Sequence, residues 1–172
     1  MTLIHNAGAG DGGSSGEALV ARIAAAGHQV RHVSSREEGW QAALDAPADV
    51  VAVAGGDGTV ARVVMAMRDR GVPVAVIPEG SANNVARTLG IGEGGPEPAG
   101  WARAPRRRLD VARAVAGGRE WCFVESVGGG ALADVLRRAA ADPRDPGGAG
   151  SLRQGRHLLR LAASGAATAG WG

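Results

Sequence analysis

Residues 49–54, Asp-Val-Val-Ala-Val-Ala, form a near-continuous apolar run. A strand with one wet face alternates apolar and polar residues; a run without that alternation marks a central strand covered on both faces. Gly-Gly-Asp-Gly-Thr follows at 55–59, and then Val60, Val63, Val64 and Met67 recur at helical spacing through about Arg70. A doubly buried strand that passes into a helix within five residues belongs in a parallel sheet with helices on both sides.

The neighbouring segments repeat the pattern. Residues 2–6 read as a strand, and Ser14 with Glu17 makes a capping box for a helix from about Glu17 to Ala26, ended by Gly27. Residues 28–34 suit a second strand; Ser35 and Glu38 repeat the capping box for a helix to about Asp45, stopped by Pro47. Residues 73–77 are a fourth strand, and 82–89 a short helix with Val85 and Leu89 on one face. The expected fold is α/β, a Rossmann-like parallel sheet with helices on both faces. Ligands of such sheets sit at the carboxyl ends of the strands. The loops 6–13, 55–59 and 78–83 leave those ends and should converge.

After Gly90 the pattern changes. Residues 92–105 carry Pro96, Pro98 and Pro105 and read as a linker. Leu109, Val111 and Val115 then alternate onto one face, Gly117-Gly118 signals a two-residue hairpin, and 120–127 returns as a strand. This is the start of an antiparallel β-rich second lobe. Helices are expected at about 131–141 and 151–163, with a turn at 142–150. The domain expectation is a first lobe over 1–100 and an incomplete second lobe over 101–172.

Composition limits the chemistry. All 19 basic residues are arginine. The absence of lysine excludes the P-loop and protein-kinase modes of phosphate binding and Schiff-base catalysis. Any phosphate must be held by backbone N–H groups, a metal ion or arginine. The single cysteine, Cys122, excludes a disulfide framework and a cysteine-based zinc site. No apolar run approaches the ~20 residues of a membrane span, and no signal peptide is visible, so the expected compartment is the cytoplasm. No nucleic-acid partner is expected.

The loops themselves suit phosphate. Gly55, Gly56 and Gly58 allow close backbone approach, and the following helix offers free N–H groups and partial positive charge. Asp57 can reach a metal-bound water, accept a proton or cap the helix. In Pro78-Glu79-Gly80-Ser81-Ala82-Asn83-Asn84, Ser81 can donate to phosphate or cap a helix. Gly8, Gly10 and Gly13 match the dinucleotide fingerprint, but His32, Val33, Ser34 and Ser35 stand where it wants a ribose-binding acid.

In order and spacing, IHNAGAG, VAGGDGTVARVV and VIPEGSANNVARTLGI resemble the diacylglycerol kinase catalytic-domain family, which includes bacterial lipid kinases and sphingosine kinases and is related to NAD kinases. The likeness is strong over about 2–91 and weaker through RRLDVARAV, FVESVGGGALADV and SLRQGRHLLRLA. It implies an ATP-dependent kinase acting on a lipid hydroxyl, with Mg²⁺ as cofactor, a lipid substrate at a membrane surface and peripheral contact with the inner membrane. By resemblance, Asn6, Ala7, Gly8, Ala9 and Gly10 line the nucleotide loop, and Ser34 contacts ATP. Gly55, Gly56, Asp57, Gly58, Thr59, Val60 and Ala61 cradle the phosphates, joined by Gly80 and Ser81. Asp57 matches a base proposed in the sphingosine-kinase branch, whereas the resemblance to bacterial diacylglycerol kinases implies a carboxylate far into the C-terminal lobe, in a segment not matched here; the metal ligands are not readable. The alternatives are a catalytically incomplete nucleotide-binding module and an NAD kinase-like phosphotransferase.

Three departures from the family pattern stand out. Ala7 replaces a usual Pro, Asn84 a frequent Asp, and Glu79 a common apolar residue. Glu79 is expected to put negative charge near the phosphates and to weaken nucleotide binding unless a metal or Arg87 offsets it; Glu79→Leu is expected to tighten ATP binding. The family's second lobe needs more strands than 106–172 provides, so the chain resembles the front portion of a lipid kinase, self-associating beyond about residue 105 and more soluble if ended near 100. Arg106–Arg108 and the basic helix 151–163 suit either an anionic surface or a solvated face. Asp134 reads as an exposed helix acid or a headgroup contact. His5, His28, His32 and His157 lack metal-ligand spacing.

Overall fold

The structure, a computed structural model, describes residues 1–10, 13–126 and 133–134. Two compact units divide the chain, Met1–Glu125 and Ser126–Gly172. Apart from the helical Ala133 and Asp134, the helices expected at 131–141 and 151–163 and the turn at 142–150 lie outside the described residues.

Four strands form the parallel sheet of the first unit: β1 (Thr2–His5), β2 (Arg31–Ser34), β3 (Val51–Gly55) and β4 (Val74–Pro78). Their spatial order is β2-β1-β3-β4. β3 is buried along its whole length, as its unbroken apolar run requires. One sheet face carries Ile4, Val51, Val53 and Val76. It packs against Val60, Val63 and Met67 of helix α2 (Asp57–Ala66) and its end, Val85 of helix α3 (Asn84–Thr88), and Trp40 and Leu44. The other face carries Leu3, Ala52, Ala54 and Ile77 against Leu19 and Ile23 of helix α1 (Gly16–Ala25). Each fully buried Leu, Ile or Val contributes roughly 1.5–3 kcal/mol over leaving it exposed.

Local chemistry shifts several boundaries. The α1 cap is Ser15 rather than Ser14, its side chain accepting the Ala18 N–H. The helix expected from Ser35 to Asp45 is a turn followed by a short 3-10 helix, Trp40–Leu44. The Ser34 N–H donates to Glu37 Oε1 and the Arg36 N–H to Ser34 Oγ, so local side-chain bonds replace a helical start. Gly39, at φ +72°, then breaks the chain direction before Trp40 turns inward.

Residues 92–105 do not behave as a free linker. Pro98–Gly100 forms a 3-10 turn that seats Trp101, 6% exposed, on the α1 side of the sheet. Trp101 Nε1 donates to Pro96 O at 2.9 Å, and its rings stack on His28 at 5.7 Å. Trp101→Ala is expected to cost about 3–5 kcal/mol, read as an earlier urea midpoint; a loss below about 1 kcal/mol would show that Trp101 is not part of the core. A chain ended near residue 100 loses this cover, so shortening there is expected to reduce solubility, not raise it.

The antiparallel hairpin pairs β5 (Ala112–Ala116) with β6 (Arg119–Phe123). Gly117 and Gly118 have φ +56° and +73°, the two positive values that a type I′ turn demands. Leu109 and Val124 pack against the core, whereas Val115 and Trp121 are exposed.

Candidate functional site

The strand order sets the place of the site. From β1 the chain steps outward to β2, then returns across β1 to β3 and continues to β4, so the direction of winding reverses between β1 and β3. The connections after these two strands therefore depart to opposite faces, α1 on one and α2 on the other, and leave a crevice between them. Register brings the carboxyl ends level: His5 pairs with Ser34 and Ala54, and Gly55 with Pro78.

The three loops meet at that crevice. Asn6 follows β1 and donates from Nδ2 to Thr59 Oγ1 at 3.1 Å, joining the loop after β1 to the first turn of α2. Asn6 Oδ1 accepts the Gly8 N–H at 3.3 Å and Arg36 Nε at 3.1 Å. The Glu79 N–H donates to Gly55 O at 3.1 Å. A Cβ placed on Gly56 would lie 3.2 Å from Gly80 Cα, and one on Gly80 would lie 2.5 Å from Gly56 Cα. Two backbones thus pass each other where any side chain would force them apart. Asp57 Oδ1 accepts the Val85 N–H at 2.9 Å, so this carboxylate ties the start of α2 to the start of α3.

The residues expected to form the site do not all meet at the crevice. Asn6, Gly8, Gly10, Gly55, Gly56, Asp57, Thr59 and Gly80 are brought together by these contacts. Gly58 is exposed, with open space where its Cβ would be. Ala7 lies on the exposed side of the first loop, while Ala9 is buried. Val60 turns its side chain into the core, and half-buried Ala61 follows it in α2; near the crevice these two offer backbone alone. Ser34 ends β2 beyond β1 and spends its hydroxyl on the Arg36 N–H. Ser81 is exposed on the third loop.

Two participants were not among the expected site residues. Asn83, at φ +49°, clamps the third loop by accepting the Gly80 N–H at 2.9 Å and donating back to Gly80 O at 2.6 Å. A short amide side chain able to enter the left-handed region was its available sequence signal. Arg36 comes from the turn after β2, and its guanidinium overlies Gly8 so closely that a Cβ there would collide with Nη2. No spacing rule links positions 8 and 36.

Glu79 differs most from expectation. Its side chain is 6% exposed and turns inward, where Oε1 accepts the Ser14 N–H at 2.9 Å and Oε2 lies 3.5 Å from His5 Nε2. It is a buried anchor, not a charge facing an open phosphate loop. Arg87, one of the two groups that could have offset its charge, bonds Asn84 Oδ1.

Burial lowers the pKa of His5 below its ordinary value of 6.5; the Glu79 carboxylate opposes this and His32 adds to it. The folded state therefore resists a proton that the unfolded chain takes up. The His5 contribution to stability is complete above pH ~6.5 and is lost as pH falls through the lower folded value. The midpoint of thermal unfolding is expected to drop through that window, and His5→Gln is expected to flatten the drop. An unchanged profile in the variant would assign the slope to other groups.

A groove of about 870 Å³ lies at the other end of β3 and β4, lined by Val50, Met67, Val74, Leu89, Leu109 and Arg106. It has none of the converging loops. Among the described residues no group of three or more His, Cys, Asp or Glu side chains could hold a metal ion by itself.

Residues 1–114 match the diacylglycerol kinase catalytic domain. A putative diacylglycerol kinase from Bacillus anthracis str. Sterne is similar in structure, with a TM-score of 0.53 and 27% identity over 70% of this chain and 44% of that one. A second diacylglycerol kinase structure from the same organism gives a TM-score of 0.47 and 25% identity, over the same shares. The chain thus spans less than half the length of either. Among curated proteins none matches it. The family match runs through all four parallel strands, all three loops and into β5, and on that extent the chain belongs to the diacylglycerol kinase catalytic domain family.

Proposed function

We propose that the chain supplies the nucleotide-binding part of a lipid kinase that transfers the γ-phosphoryl group of ATP to a lipid hydroxyl, diacylglycerol or a related lipid. The observation that carries this reading is the crossing of Gly56 and Gly80 at the switch point of a lysine-free sheet. A polyphosphate there would meet backbone N–H groups and the open first turn of α2, which favour anionic oxygens. Asn6 and Thr59 hold the first two loops at a set spacing around it. The parallel sheet with the Trp101 that covers it would form the nucleotide lobe, and the chain beyond would begin the lobe that takes the lipid.

The residues present fit magnesium as a companion of the triphosphate. That ion is usually held by one or two carboxylates together with substrate phosphates, and Asp57 can supply one. Bound there, it would neutralise phosphate charge. Asp57 keeps one oxygen on the Val85 N–H, which orients the other to take the proton of the acceptor hydroxyl or to hold a metal-bound water. A lipid acceptor implies peripheral work at the inner membrane surface; no helix among the described residues is long and apolar enough to cross a bilayer.

The test has two arms. Calorimetry of this chain with ATP and magnesium should show saturable binding. A protein carrying both lobes should move label from γ-labelled ATP to diacylglycerol in mixed micelles, and not to NAD. Absence of ATP binding, or label on NAD alone, would overturn the reading.

A further inference from the structure

Glu79 stands out as a buried acid with no part in the proposed chemistry. Its Oε2 and the facing His5 Nε2 are both sealed from solvent and lack a hydrogen-bond partner among the described residues. Their 3.5 Å separation is an ion-pair distance rather than a hydrogen bond. For stability alone this is a poor arrangement: a buried, incompletely satisfied polar pair is often matched or bettered when well-packed apolar residues replace it.

What Glu79 does hold is the glycine-rich loop. Oε1 takes the Ser14 N–H at 2.9 Å across 65 residues of sequence. The Glu79 side chain also closes on Gly13, whose Cβ would lie 3.2 Å from Oε2. The Glu79 carbonyl closes on Gly10, whose Cβ would lie 2.4 Å from it. The loop is thus gripped on both sides by one residue from the end of β4. On its far side His5 packs against His32 at 5.6 Å, and a Cβ on Gly16 would lie 2.6 Å from the His32 ring. The entry into α1 is therefore seated on the same cluster.

We propose that Glu79 is a positioning residue that holds Gly10, Gly13 and Ser14 in a nucleotide-receiving arrangement, through its hydrogen bond to the Ser14 N–H and its contact with His5. The proposal rests on the nucleotide-binding reading above. It reverses the expectation that Glu79 weakens binding by repelling phosphate. Stability and affinity should then move apart when the carboxylate is removed, whereas a merely structural residue would move them together.

The experiment compares the wild-type chain with Glu79→Leu and Glu79→Gln. Each is followed by thermal unfolding, by amide hydrogen exchange at Ser14, and by calorimetric titration with ATP and magnesium. Glu79→Leu should melt no lower than wild type, exchange Ser14 at least about tenfold faster, and bind ATP at least about tenfold more weakly. Glu79→Gln keeps an acceptor for the Ser14 N–H and should recover most of both losses. Wild-type affinity in a folded Glu79→Leu chain, or unchanged Ser14 exchange, would overturn the proposal while leaving the nucleotide site standing. If Glu79→Leu fails to fold, Glu79→Gln decides: slow exchange with near-normal affinity supports the anchor, and lost affinity with slow exchange overturns it. Failure of the wild-type chain to bind ATP overturns the nucleotide reading itself and the positioning role with it.

Discussion

Asp57→Asn is expected to abolish phosphoryl transfer in a protein carrying both lobes while leaving the fold intact. The amide keeps an oxygen to accept the Val85 N–H, the 2.9 Å bond that links the starts of α2 and α3. It loses the negative charge and the ability to take a proton. General-base catalysis contributes typically ~10²–10⁴-fold, so kcat should fall by at least about a hundredfold with a small change in unfolding midpoint. Asp57→Ala removes the bond as well and should lower stability by a further ~1 kcal/mol or more. Near-normal turnover in Asp57→Asn would remove the carboxylate from the reaction and leave it as a tie between two helices.

The second large effect is expected at the crossing of Gly56 and Gly80. Gly80→Ala places a Cβ 2.5 Å from Gly56 Cα and 2.9 Å from Asn83 Oδ1. The first of these is backbone and cannot swing away, so one loop must move. Gly56→Val meets the same obstacle from the other side. Both changes should weaken ATP binding at least about tenfold, read by calorimetry. Gly58→Ala separates ligand sterics from loop damage. Among the described residues, no atom beyond its chain neighbours and its own helix backbone lies within 4 Å of the added methyl, and Gly58 sits in the first turn of α2. Helix propensity should raise stability by up to ~1 kcal/mol. If phosphate oxygens lie against that turn, affinity should fall even so. A more stable Gly58→Ala protein with undiminished affinity would move the ligand away from the start of α2.

The architecture was legible because each element announces itself locally. β3 needed an unbroken apolar run, α2 a 3.6-residue spacing, and the hairpin a Gly-Gly pair. Short links then left little choice but a parallel sheet with its loops at one end. Errors arose where a local signal was outweighed by a competing local bond or by contacts distant in sequence. The capping-box pattern at Ser35 was overridden by the Ser34–Glu37 turn and by burial of Trp40. The proline-rich stretch 92–105 was drawn onto the sheet by Trp101, an aromatic side chain large enough to cover the α1 face.

For the site, the sequence by itself determined the chemical inventory: glycines in three loops, an acid in each of them, and no lysine. These follow from residue identity and spacing alone. Whether a side chain faces the crevice or the core is decided by packing between segments 24 to 74 positions apart, which spacing does not encode. Tertiary structure alone therefore turned Glu79 inward onto His5 and Ser14, laid Arg36 over Gly8, and set Gly56 against Gly80. The physical reason is burial. A carboxylate beside a glycine loop reads as surface charge until the fold supplies a donor from 65 residues away and removes the water.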